Sequence, residues 1–173
     1  MQKKPFISIC IPAYKRANFL KRLLESIIIQ EYKDFEIVLT DDSPTDDVSE
    51  LVKEFAGKLE IKYYKNKIPK GTPENWNQAI RMASGKWIKL MHDDDWFSSP
   101  ASLRLFATAV QSSNNKFVFC FYNNNYLDTE TIKLIKPSFW RLFFLKRNSK
   151  TLISRNIIGP PSVTLHRNDG NTF

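Results

Sequence analysis

Two tight clusters of carboxylates, Asp41-Asp42 and Asp93-Asp94-Asp95, stand out in a chain whose formal charge is +8. Three consecutive carboxylates repel one another, and in a cleft they need a cation or strong hydrogen bonds to coexist. Their hard oxygen donors select Mg2+ or Mn2+, cations that keep several waters and bind phosphate oxygens. Asp93, Asp94 and Asp95 therefore read as a metal–diphosphate site, or else as a solvated acidic loop capping the helix after it. Asp41 and Asp42 could accept hydrogen bonds from a nucleobase N–H or a ribose. Equally, Asp42 or Ser43 could cap a helix with Pro44 at its first position. Lys15, Arg16, Lys67 and Lys70 could neutralise phosphates, although each alone also fits an ordinary surface cation. Gly71-Thr72-Pro73 opens a helix, and helix N-termini favour anions.

The elements that must position these groups follow from hydrophobic period. Strands are expected over residues 6–11, 35–40, 60–65 and 86–91, and helices over 18–30, from Ser43-Pro44 to Gly57, over 73–83 and from Ser99-Pro100 to 112. Residues 116–127 form a long strand pattern in which Asn123-Asn124-Asn125 reads as a bulge or turn, and 162–166 a short strand. Alternating strands and helices predict βαβ units, hence a Rossmann-like, mainly parallel sheet flanked by helices in a three-layer sandwich. Ligands bind at the carboxyl ends of such strands. Pro12-Ala13-Tyr14-Lys15-Arg16, Asp41-Asp42-Ser43 and Asp93-Asp94-Asp95 all fall there.

The bulk numbers bound the rest. At 173 residues, 42% hydrophobic, 13% aromatic and 25% charged, the chain is one globular domain rather than a disordered or fibrous segment. The basic excess favours an anionic partner. Lysines and arginines are scattered and no recognised nucleic-acid module occurs, so no nucleic-acid partner is expected. Cys10 and Cys120 sit in apolar runs without metal-binding spacing, which predicts two free, buried thiols in a reducing compartment. Neither a signal peptide nor a membrane-spanning run is expected, and the location reads as cytoplasmic. A phosphoacceptor receiver would carry its acidic pair after the first strand, where Pro12-Ala13-Tyr14 stands. A sugar nucleotidyltransferase would want a glycine-rich phosphate loop there, which IPAYKR lacks. A non-catalytic nucleotide-binding domain stays open as the alternative reading.

The clusters in their order carry a resemblance. ISICIPAYKR is similar to an opening strand followed by Pro-x-Tyr-Asn, with Lys15 where Asn is common. LTDDSPTDD (Leu39 to Asp47) is similar to VDDxSxD. NKIPKGTPENWNQAIRMASGKWIKL offers Asn66, Gly71, Asn77 and Gly85 in place, with Trp76 where an arginine is usual. MHDDDW stands for LDxDD, with His92 at the first aspartate. The chain thus resembles family 2 glycosyltransferases of the A-type nucleotide-sugar fold, closely over residues 5–110 and loosely through NIIGPPSVTLHR.

That resemblance implies a metal-dependent, inverting transfer from a nucleotide-diphosphate sugar, UDP first among the candidates, to a glycan or lipid-linked acceptor. Pro12 and Tyr14 would line the base pocket, Asp42 would accept a hydrogen bond from the base, and Asp94 would meet the ribose or sugar. Asp95, helped by Asp93, would ligate Mn2+ or Mg2+. Ala13, Arg16, Asp41, Lys70 and Asn77 complete the candidate substrate-binding set. Residues 1–112 would be the nucleotide-sugar part of a single catalytic domain and 113–173 the start of its acceptor part. The general base is expected beyond Phe173, so the chain reads as C-terminally truncated; Asp169 is not assigned that role. Finally, SFWRLFFLKR (Ser138 to Arg147) offers a peripheral membrane-surface patch at the inner face of a membrane, a core-facing helix, or a face meant for the part of the protein expected beyond Phe173.

Overall fold

The computed structural model describes residues 3–112, 114–126, 128–148, 150, 152 and 156–170. In chain order the elements are β1 (Ile7–Ala13), α1 (Ala17–Ile28), β2 (Phe35–Asp41), α2 (Asp47–Phe55), β3 (Ile61–Lys65), α3 (Glu74–Met82), β4 (Trp87–Leu90), α4 (Ser102–Gln111), β5 (Phe117–Phe119), β6 (Tyr122–Tyr126), β7 (Thr131–Ile135), α5 (Phe139–Arg147) and β8 (Thr164–Arg167). A six-stranded sheet runs β3-β2-β1-β4-β8-β5, and β6-β7 form a separate hairpin. β1, β2, β3 and β4 are mutually parallel, and only β8 runs against them. The sheet is mainly parallel, as expected.

Alternation along the strands makes the layers. Ile7, Ile9, Ile11 and Ala13 of β1 face one side and pack with Leu20, Leu24 and Ile27 of α1, Leu51 of α2 and Phe106 of α4. Cys10, with Val38, Ile88 and Leu90, faces the other side and packs on Ala79 and Ile80 of α3. Helices thus cover both faces. Gly85 lets the start of β4 close on β1: a Cβ there would lie 2.7 Å from the Ser8 backbone nitrogen.

Four local expectations are corrected. Pro12 and Ala13 belong to β1 rather than to the loop after it. Ser43 does not cap a helix, because α2 starts only at Asp47; the Asp41 carboxylate accepts from the Ser43 N–H and holds the chain in a turn. The run from Lys116 splits into β5 and β6, and Asn123-Asn124-Asn125 lie inside β6 as paired strand residues; Leu127 lies outside the described residues. Cys10 is a buried free thiol, but Cys120 is exposed, since it follows the three-residue edge strand β5 where the chain leaves the sheet.

Lys89 of β4 is 1% exposed. Its ammonium donates to the carbonyls of Ser162 and Thr164 and lies 4.4 Å from the Phe106 ring centre, so it pins the C-terminal strand to the sheet. Burial pulls its pKa from 10.5 down to about 7. The unfolded chain keeps this proton over a range in which the folded chain has released it. Stability therefore rises with pH across that window, with the full cost of the buried charge felt below it. Lys89→Met is expected to flatten the rise in Tm between about pH 7 and 10. Equal slopes in the two proteins would contradict this.

Candidate functional site

The strand order changes direction between β1 and β4, and a cavity of about 460 Å3 opens at the carboxyl ends of these strands. The opening has a backbone cause. Met91 N–H donates to the Cys10 carbonyl and Asp42 N–H to the Ala13 carbonyl, so alternate residues of β1 face β4 and β2. Pro12 falls on the β4 side, beyond the last β1–β4 pair, Cys10–Leu90. Its missing N–H costs no ladder bond there, which is how a proline sits in a central strand. Past Cys10, β1 is paired on one side only, and the gap becomes the cavity.

One wall is built on Asp42, which is 3% exposed. Its Oδ2 accepts from the backbone N–H groups of Lys70 (2.9 Å) and Gly71 (2.8 Å), and its Oδ1 accepts from Asn66 Nδ2 (2.7 Å). These bonds fold the polar loop after β3 so that Pro69, Gly71 and Thr72 line the cavity. A carboxylate has about four acceptor positions, so three bonds leave capacity for a ligand donor. Asn75 at the start of α3 donates to the carbonyls of Ala13 and Thr40, tying this wall to both strands.

The opposite wall is the turn after β4. Asp93, 2% exposed, accepts from the Tyr14 N–H (3.2 Å) and from Arg16 (2.6 Å); the other arm of the same guanidinium holds Asp94 (2.6 Å). Burial pushes the Asp93 carboxyl above its usual range, against the opposing pull of the Tyr14 N–H and Arg16. Lys15, between them, adopts φ 65°, the left-handed region that Asn enters more readily. Its N–H donates to Ser43 Oγ and joins the ends of β1 and β2. His92, Asp94 and Asp95 each present a ligand atom within 4.8 Å of the others. The His92 ring packs on Trp76 at 4.6 Å between centres, and its Nε2 is buried without a hydrogen-bond partner.

Arg16→Ala would strip two adjacent carboxylates of their shared cation. With Arg16 half-exposed, the loss is expected at about 1 kcal/mol, or ~2–4 °C in Tm. It should shrink as the pH falls through the range, raised by burial, in which Asp93 takes up its proton. An equal loss at acid and neutral pH would contradict the charge-pair account.

The family model described as glycosyl transferase family 2 matches residues 8–168. The chain belongs to this family. A relative from Campylobacter jejuni, the GalNAc(5)-diNAcBac-PP-undecaprenol beta-1,3-glucosyltransferase, is 31% identical over 121 residues, covering 69% of this chain and 38% of its own length. Among solved structures, Staphylococcus aureus TarS in complex with UDP-GlcNAc superposes with a TM-score of 0.62 at 23% identity, over 66% of this chain and 33% of that one. The mannosyltransferase PcManGT from Pyrobaculum calidifontis, in complex with GDP-Man and Mn2+, gives 0.61 at 21% identity, over 69% and 36%. These likenesses establish the A-type glycosyltransferase fold. The chain spans 15% to 48% of the length of the curated relatives compared.

Within this family 2 fold the candidate residues separate. Pro12, Ala13, Tyr14, Arg16, Asp42, Asp93 and Asp94 line the cavity together. Asp41 does not: it is fully buried behind Asp42 and accepts from the Tyr63 hydroxyl at 2.7 Å. Asn77 is buried on α3, and its neighbour Trp76 reaches the cavity instead. Lys70 contributes its backbone N–H to Asp42 rather than a side chain to the wall. Of the groups that could hold a cation, His92 stands with Asp94 and Asp95, whereas Asp93 is turned to Arg16 and the Tyr14 N–H. Asp169 follows β8, which runs antiparallel, so it falls at the edge opposite the cavity, where Asn168 bonds the Gly85 carbonyl. Asn66, Pro69, Asn75 and Trp76 are additional site residues; Trp76 and His92 were signalled in the sequence as departures from the family pattern.

Proposed function

We propose that this chain binds a nucleoside-diphosphate sugar, uridine being the first candidate nucleoside, in the cavity between Asp42 and the His92–Asp95 turn, with Mn2+ or Mg2+ at the acidic end. The observation that carries this reading is a cavity walled on one side by a loop-anchoring carboxylate and on the other by an imidazole and carboxylates in ligand proximity. Two carboxylates and an imidazole, whose Nδ1 lies 3.9 Å from Asp95 Oδ2, suit a divalent first-row cation. His92, Asp94 and Asp95 would hold it, and when bound it would neutralise charge on a leaving diphosphate. Pro12 and Tyr14 line the base pocket, Asp42 keeps one acceptor position for a base or ribose donor, and Asp93 orients Arg16.

Residues 1–112 are assigned to the donor and 113–173 to the start of the acceptor side. Within a longer protein, the acceptor hydroxyl would attack the anomeric carbon, giving its proton to a general base, as the bond to the diphosphate breaks, inverting that centre. A glycan or a lipid-linked sugar is the acceptor class; the Campylobacter jejuni relative bears the name of an enzyme acting on an undecaprenol-linked glycan. Free Cys10 and Cys120 fit a reducing, cytoplasmic setting. Among the described residues no helix is long and apolar enough to cross a membrane.

Calorimetric titration with UDP, GDP and dTDP in the presence of Mn2+ tests the reading. One nucleotide is expected to bind at least about tenfold more tightly than the others, a difference of roughly 1.4 kcal/mol. Absence of binding by all three would overturn it.

A further inference from the structure

The aromatic segment that sequence leaves open between a core helix and a surface patch is α5, and none of its residues is buried. At 3.6 residues per turn, Phe139, Phe143, Arg147, Trp140 and Phe144 fall within about 140° of arc. The rings touch in a row: Phe139–Trp140 centres are 5.7 Å apart and Trp140–Phe143 6.0 Å, with the Arg147 guanidinium 4.2 Å above Phe143. Phe139 is 74% and Trp140 65% exposed. Beside it in the chain, the β6–β7 hairpin pairs with no other strand among the described residues. Ile132 (68% exposed) and Leu134 (54%) share one of its faces. A lone two-stranded hairpin with an apolar face is marginal in water and calls for something against it.

Charge selects the occupant. Between residues 116 and 150 seven lysines and arginines stand against two carboxylates. A second copy of this chain would bring the same positive charge to the contact. Tryptophan and phenylalanine flanked by basic residues are the composition that settles at the headgroup level of an anionic bilayer. Topology gives the direction. β5 is antiparallel to β8, and β8 to β4, so β5 runs parallel to β4 and ends at the cavity edge of the sheet. The hairpin and α5 follow from that edge, and the chain returns there through Pro161–Val163 before β8.

We propose that α5 and the β6–β7 hairpin form an interfacial surface by which the chain docks on an anionic lipid bilayer, with the aromatic arc of α5 among the headgroups. This places the bilayer on the sheet edge that carries the cavity, within reach of a lipid-linked acceptor; that consequence rests on the donor-site reading, whereas the docking itself does not.

Co-sedimentation with phosphatidylglycerol/phosphatidylcholine vesicles, without nucleotide, tests it. Binding is expected to the mixed vesicles, to fall about tenfold or more on pure phosphatidylcholine, and to weaken as salt is raised. Phe139→Ser/Phe144→Ser, both at exposed positions, should lose vesicle binding about tenfold while its circular dichroism spectrum stays unchanged. Brominated lipid should quench the wild-type fluorescence more than that of Trp140→Phe. No binding to the anionic vesicles, equal binding by the double serine variant, or equal quenching of wild type and Trp140→Phe would overturn the proposal. A separate UDP titration of the same variants reports on the donor site, so failure of one reading is distinguishable from failure of the other.

Discussion

Asp42→Asn is expected to weaken nucleotide binding about 100-fold, equivalent to roughly 2.7 kcal/mol. The carboxylate serves three donors at once: the Lys70 and Gly71 N–H groups on Oδ2 and Asn66 Nδ2 on Oδ1. An asparagine keeps one oxygen and turns an NH2 towards one of these sets, so donor faces donor. Each buried donor left without an acceptor costs about 1–3 kcal/mol. The cost falls on the loop that carries Pro69, Gly71 and Thr72 to the cavity, so the wall loosens before a ligand arrives. Calorimetry with UDP reads the loss, and a Tm lower by a few degrees should accompany it. Asp42→Asn binding with wild-type affinity would show that the wall does not depend on this carboxylate.

Asp95→Ala is expected to abolish the dependence of nucleotide binding on metal, with Mn2+ affinity falling on the order of 100-fold. It removes one of the donors gathered within 4.8 Å and leaves His92 and Asp94, the latter shared with Arg16. His92 would give such a site a selectivity that three carboxylates would lack, because imidazole favours later first-row cations over Mg2+. His92→Asp should therefore narrow the preference for Mn2+ over Mg2+, measured by Mg2+ competition against the Mn2+ resonance signal. Unchanged competition in His92→Asp, or unchanged Mn2+ affinity in Asp95→Ala, would remove these residues from the cation site.

The parts of this site legible in the sequence are those that a parallel sheet places by rule. Residues after β1, β2 and β4 had to meet at one edge, and Tyr14, Asp42 and Asp93 do. What stayed hidden depends on partners distant in sequence. Nothing in the polar stretch from Asn66 to Thr72 says that Asp42 will gather it, because loop backbone N–H groups have no sequence signature. For the same reason Asp41 and Asp42 looked alike, and only packing separates a residue bonded to Tyr63 from one facing a cavity. Trp76 and His92 were visible as two departures from the family pattern. Their rings pack on each other, so the two are one structural feature at the acidic end of the cavity. Lys89 was concealed in the apolar run WIKL, where a period-2 pattern cannot tell a buried ammonium from an exposed one. The strand pattern from Lys116 hid a departure from the sheet, since continuous apolar character does not mark where pairing stops.

The central claim is one of location: a nucleoside diphosphate between Asp42 and the His92–Asp95 turn, with the cation at its acidic end. Anomalous diffraction from crystals of the chain grown with UDP and Mn2+ tests it most directly. The account predicts a manganese peak among His92, Asp94 and Asp95, beside diphosphate density inside the cavity. Bound UDP with manganese elsewhere, or UDP outside the cavity, would contradict it.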